Sequence, residues 1–101
     1  MKNDHAWRTG VIRVLESELE KDDGLRNTLQ YVYQLKGFFL AQVVELTSQP
    51  AEKVFAQCEL LRDLGLLNSD PPMEKSIREN RYCISNKGLA LEELLRNMEI
   101  T

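Results

Sequence analysis

The residues able to do chemistry are few and scattered. His5 is the single histidine of the 101-residue chain, and no cysteine or carboxylate stands at ligand spacing from it. Cys58 and Cys83 form no CxxC, which removes the common zinc and redox patterns. Both fall in apolar patterns, so buried free thiols in a reducing compartment are expected. Asp22 and Asp23 follow Glu16, Glu18 and Glu20, with Lys21 between them, but no glycine-centred calcium loop is present. That acidic stretch is expected to be a solvated helix end. Neither a catalytic residue, a metal ligand nor a cofactor is predicted, and the chain is not expected to be an enzyme. What remains is cationic. Between 75 and 87, Lys75, Arg78, Arg81 and Lys87 face only Glu79, a net of +3. Near the N-terminus, Lys2, Arg8 and Arg13 stand against Asp4, a net of +2. Clustered cations of this kind suit neutralisation of phosphates, and the bland alternative is a solvated loop.

These groups must be held by elements, and apolar spacing gives them. Trp7, Val11, Val14, Leu15 and Leu19 recur at helical spacing from Asp4, a plausible N-cap, to about Lys21. KDDG at 21–24 suits a turn, with Asp23 placed to cap the next helix. That helix carries Leu25, Leu29, Val32 and Leu35 on one face, and Gly37 reads as its stop signal. Leu40, Val43, Val44 and Leu46 then give a short helix. TSQP turns the chain, with Ser48 placed to cap a helix that has Pro50 in its first turn. Val54, Phe55, Cys58, Leu61 and Leu64 continue that helix to Gly65. Two helices split by a tight turn make a helix-turn-helix.

After Gly65, LL and RYCIS are predicted to pair as strands, connected by NSDPPMEKSIREN, whose Pro71 and Pro72 oppose a continuous strand. Tyr82 and Ile84 alternate with Arg81, Cys83 and Ser85, which suits a strand with one inward face. Ser85 is placed to cap a final helix bearing Leu89, Leu91, Leu94, Leu95 and Met98. Trp7, Tyr31, Tyr33, Phe38 and Phe39 are expected in the core or at an interface. At 43% hydrophobic residues, with no repeat or linker, one domain over 1–101 with one modest core is expected. A formal charge of −3 excludes a general polyanion binder while allowing local basic patches. The first residues lack the apolar stretch of a signal peptide and no run reaches membrane-spanning length, so a cytoplasmic protein without membrane contact is expected.

LAQVVELTSQPAEKVFAQCELLRDLGLL, residues 40–67, resembles the short helix, turn, longer helix and closing LxxLGLL of the winged helix-turn-helix superfamily. RYCISNKGLALEELL resembles its second wing strand followed by a serine-capped xxKG and a terminal helix. The likeness is to MarR-, ArsR- and PadR-type bacterial transcriptional regulators and covers about 40 to 95. It implies an α+β, mainly helical fold, with an N-terminal helix over 4–21, a winged core over 25–88 and a C-terminal helix over 86–99. It also implies that the second helix of the motif enters the major groove while the wing reaches the flanking backbone. Carried over, Ala51, Glu52, Lys53, Ala56 and Gln57 lie on the outward N-terminal half of the recognition helix, and Lys75, Arg78 and Arg81 in the wing. Lys53 and Gln57 would then read bases. The recognition helix departs from the pattern in charge. Between 50 and 65, Lys53 and Arg62 face Glu52, Glu59 and Asp63, a net of −1.

The two end helices offer more apolar surface than one core face can cover. A homodimer is therefore expected, with Trp7, Val11, Leu15, Leu19, Leu91, Leu94, Leu95 and Met98 at its interface. Two functions stay open at this stage. One is a small dimeric regulator that binds double-stranded DNA. The other is a winged helix used for protein–protein contact, which the acidic recognition helix favours.

Overall fold

The computed structural model describes residues 4–69 and 77–97, with only the backbone described at 4, 5 and 93–97. Helix α1 (Asp4–Lys21) buries Val11 and Leu15, half-buries Trp7, Ile12 and Leu19, and leaves Val14 exposed. Asp22 then serves two helices. Its N–H donates back to Glu18 O at 2.9 Å, and its side chain accepts from Gly24 N–H at 3.0 Å as the N-cap of α2 (Asp23–Leu35). The cap is therefore Asp22 and not Asp23, because the chain leaves α1 and enters α2 through one extended residue.

Helix α2 buries Leu25, Thr28, Leu29 and Val32 and leaves Leu35 half-buried. It ends at Lys36, which takes a positive φ of 67° while its N–H returns to Val32 O at 2.9 Å. The expected stop residue, Gly37, instead opens a strand, β1 (Gly37–Phe39). Three residues are too few for alternation to announce a strand. Helix α3 (Leu40–Thr47) follows at once, with Gln42 Oε1 accepting from Phe39 N–H at 2.8 Å. Ser48 closes α3 in the left-handed region at φ 59° and does not cap the next helix. That role falls to Pro50, whose carbonyl accepts from Lys53 and Val54 N–H at 3.1 Å each and which stands just outside α4 (Ala51–Asp63).

Beyond α4 the chain reverses at Gly65, with φ +84°. Its N–H donates to Arg62 O and that of Leu66 to Leu61 O, both at 2.9 Å. This pair of bonds is a Schellman closure, which needs glycine's freedom at positive φ. Strand β2 (Leu67–Ser69) pairs antiparallel with β3 (Arg81–Ile84), Leu67 opposite Ile84, so the two expected strands do pair. On its other edge β3 takes β1, Gly37 opposite Cys83, giving the order β1-β3-β2. Ser85 caps α5 (Asn86–Asn97), accepting from Gly88 N–H at 3.0 Å.

One core collects Val11 and Leu15 of α1, Leu25, Leu29 and Val32 of α2, Phe38, Val43, Val54, Leu61, Tyr82 and Leu91. This corrects part of the expected dimer surface. Val11, Leu15 and Leu91 are already covered by their own chain and have nothing left to offer a partner. The side chains of Leu94, Leu95 and Met98 lie outside the described residues.

The cysteines also divide. Cys58 is buried, and burial together with the nearby Glu59 carboxylate pushes its thiol up to about 12. Cys83 is exposed on the outward face of β3, against the expectation of two buried thiols. Native protein at neutral pH should therefore give one fast thiol per chain with Ellman's reagent, and a second only after unfolding. Two fast thiols would contradict the packing around Cys58.

Candidate nucleic-acid interface

Helix α4 presents Glu52, Lys53 and Ala56 to solvent and Ala51 in part, as expected for its N-terminal half. Gln57 is the exception. It is only 3% exposed, and it cannot meet a base edge. Its position explains why: it follows Val54 by three residues and precedes Leu61 by four, so it falls on the buried stripe of α4. A polar side chain there must find partners. Its amide donates to Asp22 Oδ2 at 2.9 Å and to Gln49 Oε1 at 3.0 Å, and its carbonyl accepts from the Thr28 hydroxyl. Gln49 also donates to Thr28 Oγ1 at 2.8 Å. The cluster ties the start of α2, the α3–α4 turn and α4 into one polar knot.

Lys53, the other expected reader, points its ammonium at Asp22 Oδ1, 3.4 Å away. Burial alone would raise the Asp22 carboxyl. The Gln57 amide, the Gly24 N–H and the Lys53 charge outweigh it and hold the group below the usual aspartate value. Arg62 near the end of α4 is likewise engaged, at 2.6 Å from Glu59 Oε1. That guanidinium holds Glu59 below the usual glutamate value, against a smaller upward push from burial. Glu59 also accepts from Tyr82 O–H at 2.8 Å, joining α4 to β3.

The described part of the cationic segment opens on a 3-10 turn, Ile77–Glu79, which packs against both α3 and α4. The Asn80 carbonyl accepts from Leu40 N–H at 2.9 Å, fastening the end of that turn to the start of α3. Arg78 and Arg81 are exposed, and the Arg81 guanidinium lies 5.7 Å from the ring centre of exposed Phe39. Lys75 lies outside the described residues, as does the His5 side chain.

Two helices at a tight turn, followed by a hairpin whose second strand is central to a three-stranded sheet, invite comparison with solved structures. A MarR family regulator from Neisseria meningitidis superposes over 98% of this chain and 73% of its own, with a TM-score of 0.61 and 19% identity. A MarR family transcriptional regulator from Silicibacter pomeroyi superposes over 97% of this chain and 67% of its own, with a TM-score of 0.56 and 18% identity. The chain has the winged-helix fold. No family model matches the sequence, and no curated protein sequence does.

In winged-helix terms, α3 and α4 are the helix-turn-helix, β2 and β3 with their connection are the wing, and α1 and α5 flank the core. The extra partners found at α4 are Asp22, Thr28 and Gln49. Asp22 and Thr28 lie far from α4 in sequence, whereas Gln49 stands two residues before it, and the only advance signal was the buried-stripe position of Gln57. Lys87, counted with the cationic segment, has its ammonium 5.3 Å from the Trp7 ring centre and so covers α1. No helix among the described residues is long and apolar enough to cross a membrane.

Proposed function

We propose that the chain is a transcriptional regulator that binds double-stranded DNA, as a homodimer, in the cytoplasm. The observation that carries this reading is the attachment of the cationic turn to the helix-turn-helix: the segment bearing Arg78 packs on α3 and α4. A recognition helix and a basic wing fixed to one another suit a groove with phosphates beside it. Ala51, Glu52, Lys53 and Ala56 face the groove in this arrangement, while Arg78, Arg81 and Lys75 meet the backbone. The regulators with the same fold support it by their stated role, at the level of fold alone.

The test is a mobility shift on short random-sequence duplexes across a salt series. Binding should weaken steeply with salt. Arg78→Ala and Arg81→Ala should weaken all sequences alike, each flattening the log–log salt slope by about 0.9. An unchanged slope in the double variant would remove the wing from the interface.

For the dimer, the apolar surface that the chain leaves uncovered on its flanking helices includes exposed Val14 and Leu89 and half-buried Trp7 and Leu19. Leu94, Leu95 and Met98 complete the proposed interface. Sedimentation equilibrium at micromolar concentration should give twice the chain mass of 11.7 kDa. Leu89→Glu combined with Val14→Glu should return a folded monomer. A clean monomer mass for the unaltered chain would end the dimer proposal.

A second reading has its own support. Both cations of α4 are engaged by acids of the same chain, Lys53 by Asp22 and Arg62 by Glu59. Phe39, at the end of β1, and Leu46, in α3, are exposed apolar side chains as well. A protein partner would find such a surface more congenial than DNA would. Folded protein that shifts no duplex even at low salt would decide for this reading.

A further inference from the structure

Lys53 is the one cation in the N-terminal half of α4, residues 51–57. Its side chain is 47% exposed, so solvent and ligands can reach it, yet its ammonium already has a partner 3.4 Å away in Asp22. That partner has little freedom to leave. Asp22 Oδ1 accepts from Gly24 N–H at 3.0 Å, and Oδ2 accepts from Gln57 at 2.9 Å. Gln57 is in turn held by Thr28 and Gln49. A fixed carboxylate therefore stands at ion-pair distance from the cation best placed to approach DNA on this helix.

We infer that Asp22 acts as an internal substitute for a DNA phosphate, holding Lys53 and setting the affinity of the recognition helix below what its own residues would give. The inference rests on the DNA reading above and assigns a regulatory contact within the same site. A lysine ammonium is a compact charge that accepts carboxylate or phosphate oxygen alike, so the two anions compete for it. A partly exposed ion pair is a weak competitor, equivalent to about a two- to five-fold change in binding. The substitute need only be close and fixed, and Asp22 is both. Its duty as the cap between α1 and α2 explains why a carboxylate can be kept there at no cost to the fold.

Asp22→Asn removes the charge and keeps an oxygen able to cap α2, while its amide nitrogen takes the place of the oxygen that accepts from Gln57. Asp22→Ser gives a second uncharged cap. Circular dichroism matched to the unaltered protein separates a charge effect from a folding defect. Both variants should bind short random-sequence duplexes about two- to five-fold tighter. Their salt slope should steepen by about 0.9, the signature of one added phosphate contact. Adding Lys53→Gln to Asp22→Asn should abolish both gains. An Asp22→Asn protein with the unaltered affinity and slope, or a gain that survives loss of Lys53, overturns the inference while leaving DNA binding intact. If neither the unaltered protein nor the variants bind duplex at the lowest salt, the DNA reading falls and the inference falls with it.

Discussion

Gln57→Ala should lower the stability of the folded chain by about 2–3 kcal/mol and leave base preference untouched. The substitution deletes one donor and one acceptor from a site 3% exposed to water. The Thr28 hydroxyl loses its acceptor, and Gln49 and Asp22 lose a shared donor. Leaving a buried polar group without a partner costs about 1–3 kcal/mol, and several groups are stranded together here. Chemical denaturation gives the stability, and selection of bound sequences from a random duplex pool gives the preference. A stable variant with an altered preferred sequence would mean that Gln57 leaves its pocket to read DNA.

Gly88→Ala should also destabilise the chain, at the upper end of the about 1–3 kcal/mol typical of overpacking, although alanine is the better helix former. Gly88 lies in the first turn of α5, where that turn crosses the strand side of the molecule. A Cβ added there would stand 2.5 Å from the Leu66 carbonyl oxygen and 2.6 Å from Ile84 Cγ1. The first of these neighbours is backbone, pinned by the hydrogen bond it accepts from Ser85 N–H at 2.9 Å. It cannot rotate away as a side chain would. The Gly88 carbonyl also accepts from Tyr33 O–H at 2.7 Å, so displacement of this turn would break the α2–α5 tie. Thermal unfolding followed by circular dichroism reads the loss. An alanine variant as stable as the original would mean that α5 sits further from Leu66 than described.

The glycine in SNKG was thus legible as a motif before its reason was visible, and the same holds for much of the fold. Helices announce themselves through many apolar positions at one spacing, so α1 through its Val11–Leu15 stripe and α4 through Val54, Cys58 and Leu61 could be read directly. Strand β1 could not, since three residues give no period and its identity depends on Cys83 lying opposite, far along the chain. Caps failed by one residue at Asp22 and by two at Pro50, because adjacent acids, or a serine near a proline, are equivalent until the chain direction is known. The candidate site was half legible. Exposure of Lys53 and Ala56 followed from helical spacing, whereas the burial of Gln57 required believing the apolar stripe over the side chain's polarity. The Asp22–Lys53 pair joins segments with no shared pattern, and only the packing of α2 against α4 brings them together.

The pairing of β1 with β3 has a topological consequence. Gly37 lies opposite Cys83, so the chain between them, with both helices of the motif and the first wing strand, forms a ring closed by backbone hydrogen bonds. Strand β3 belongs to the wing, yet it is clasped on one edge by β2 and on the other by the residues that lead into α3. The helix-turn-helix cannot swing away from the wing unless that clasp opens. Loops that hang from a sheet can bend independently to suit different duplexes, but segments threaded on a closed ring move together. Whatever this surface binds, it meets it as one stiff body, and adaptation has to come from the partner.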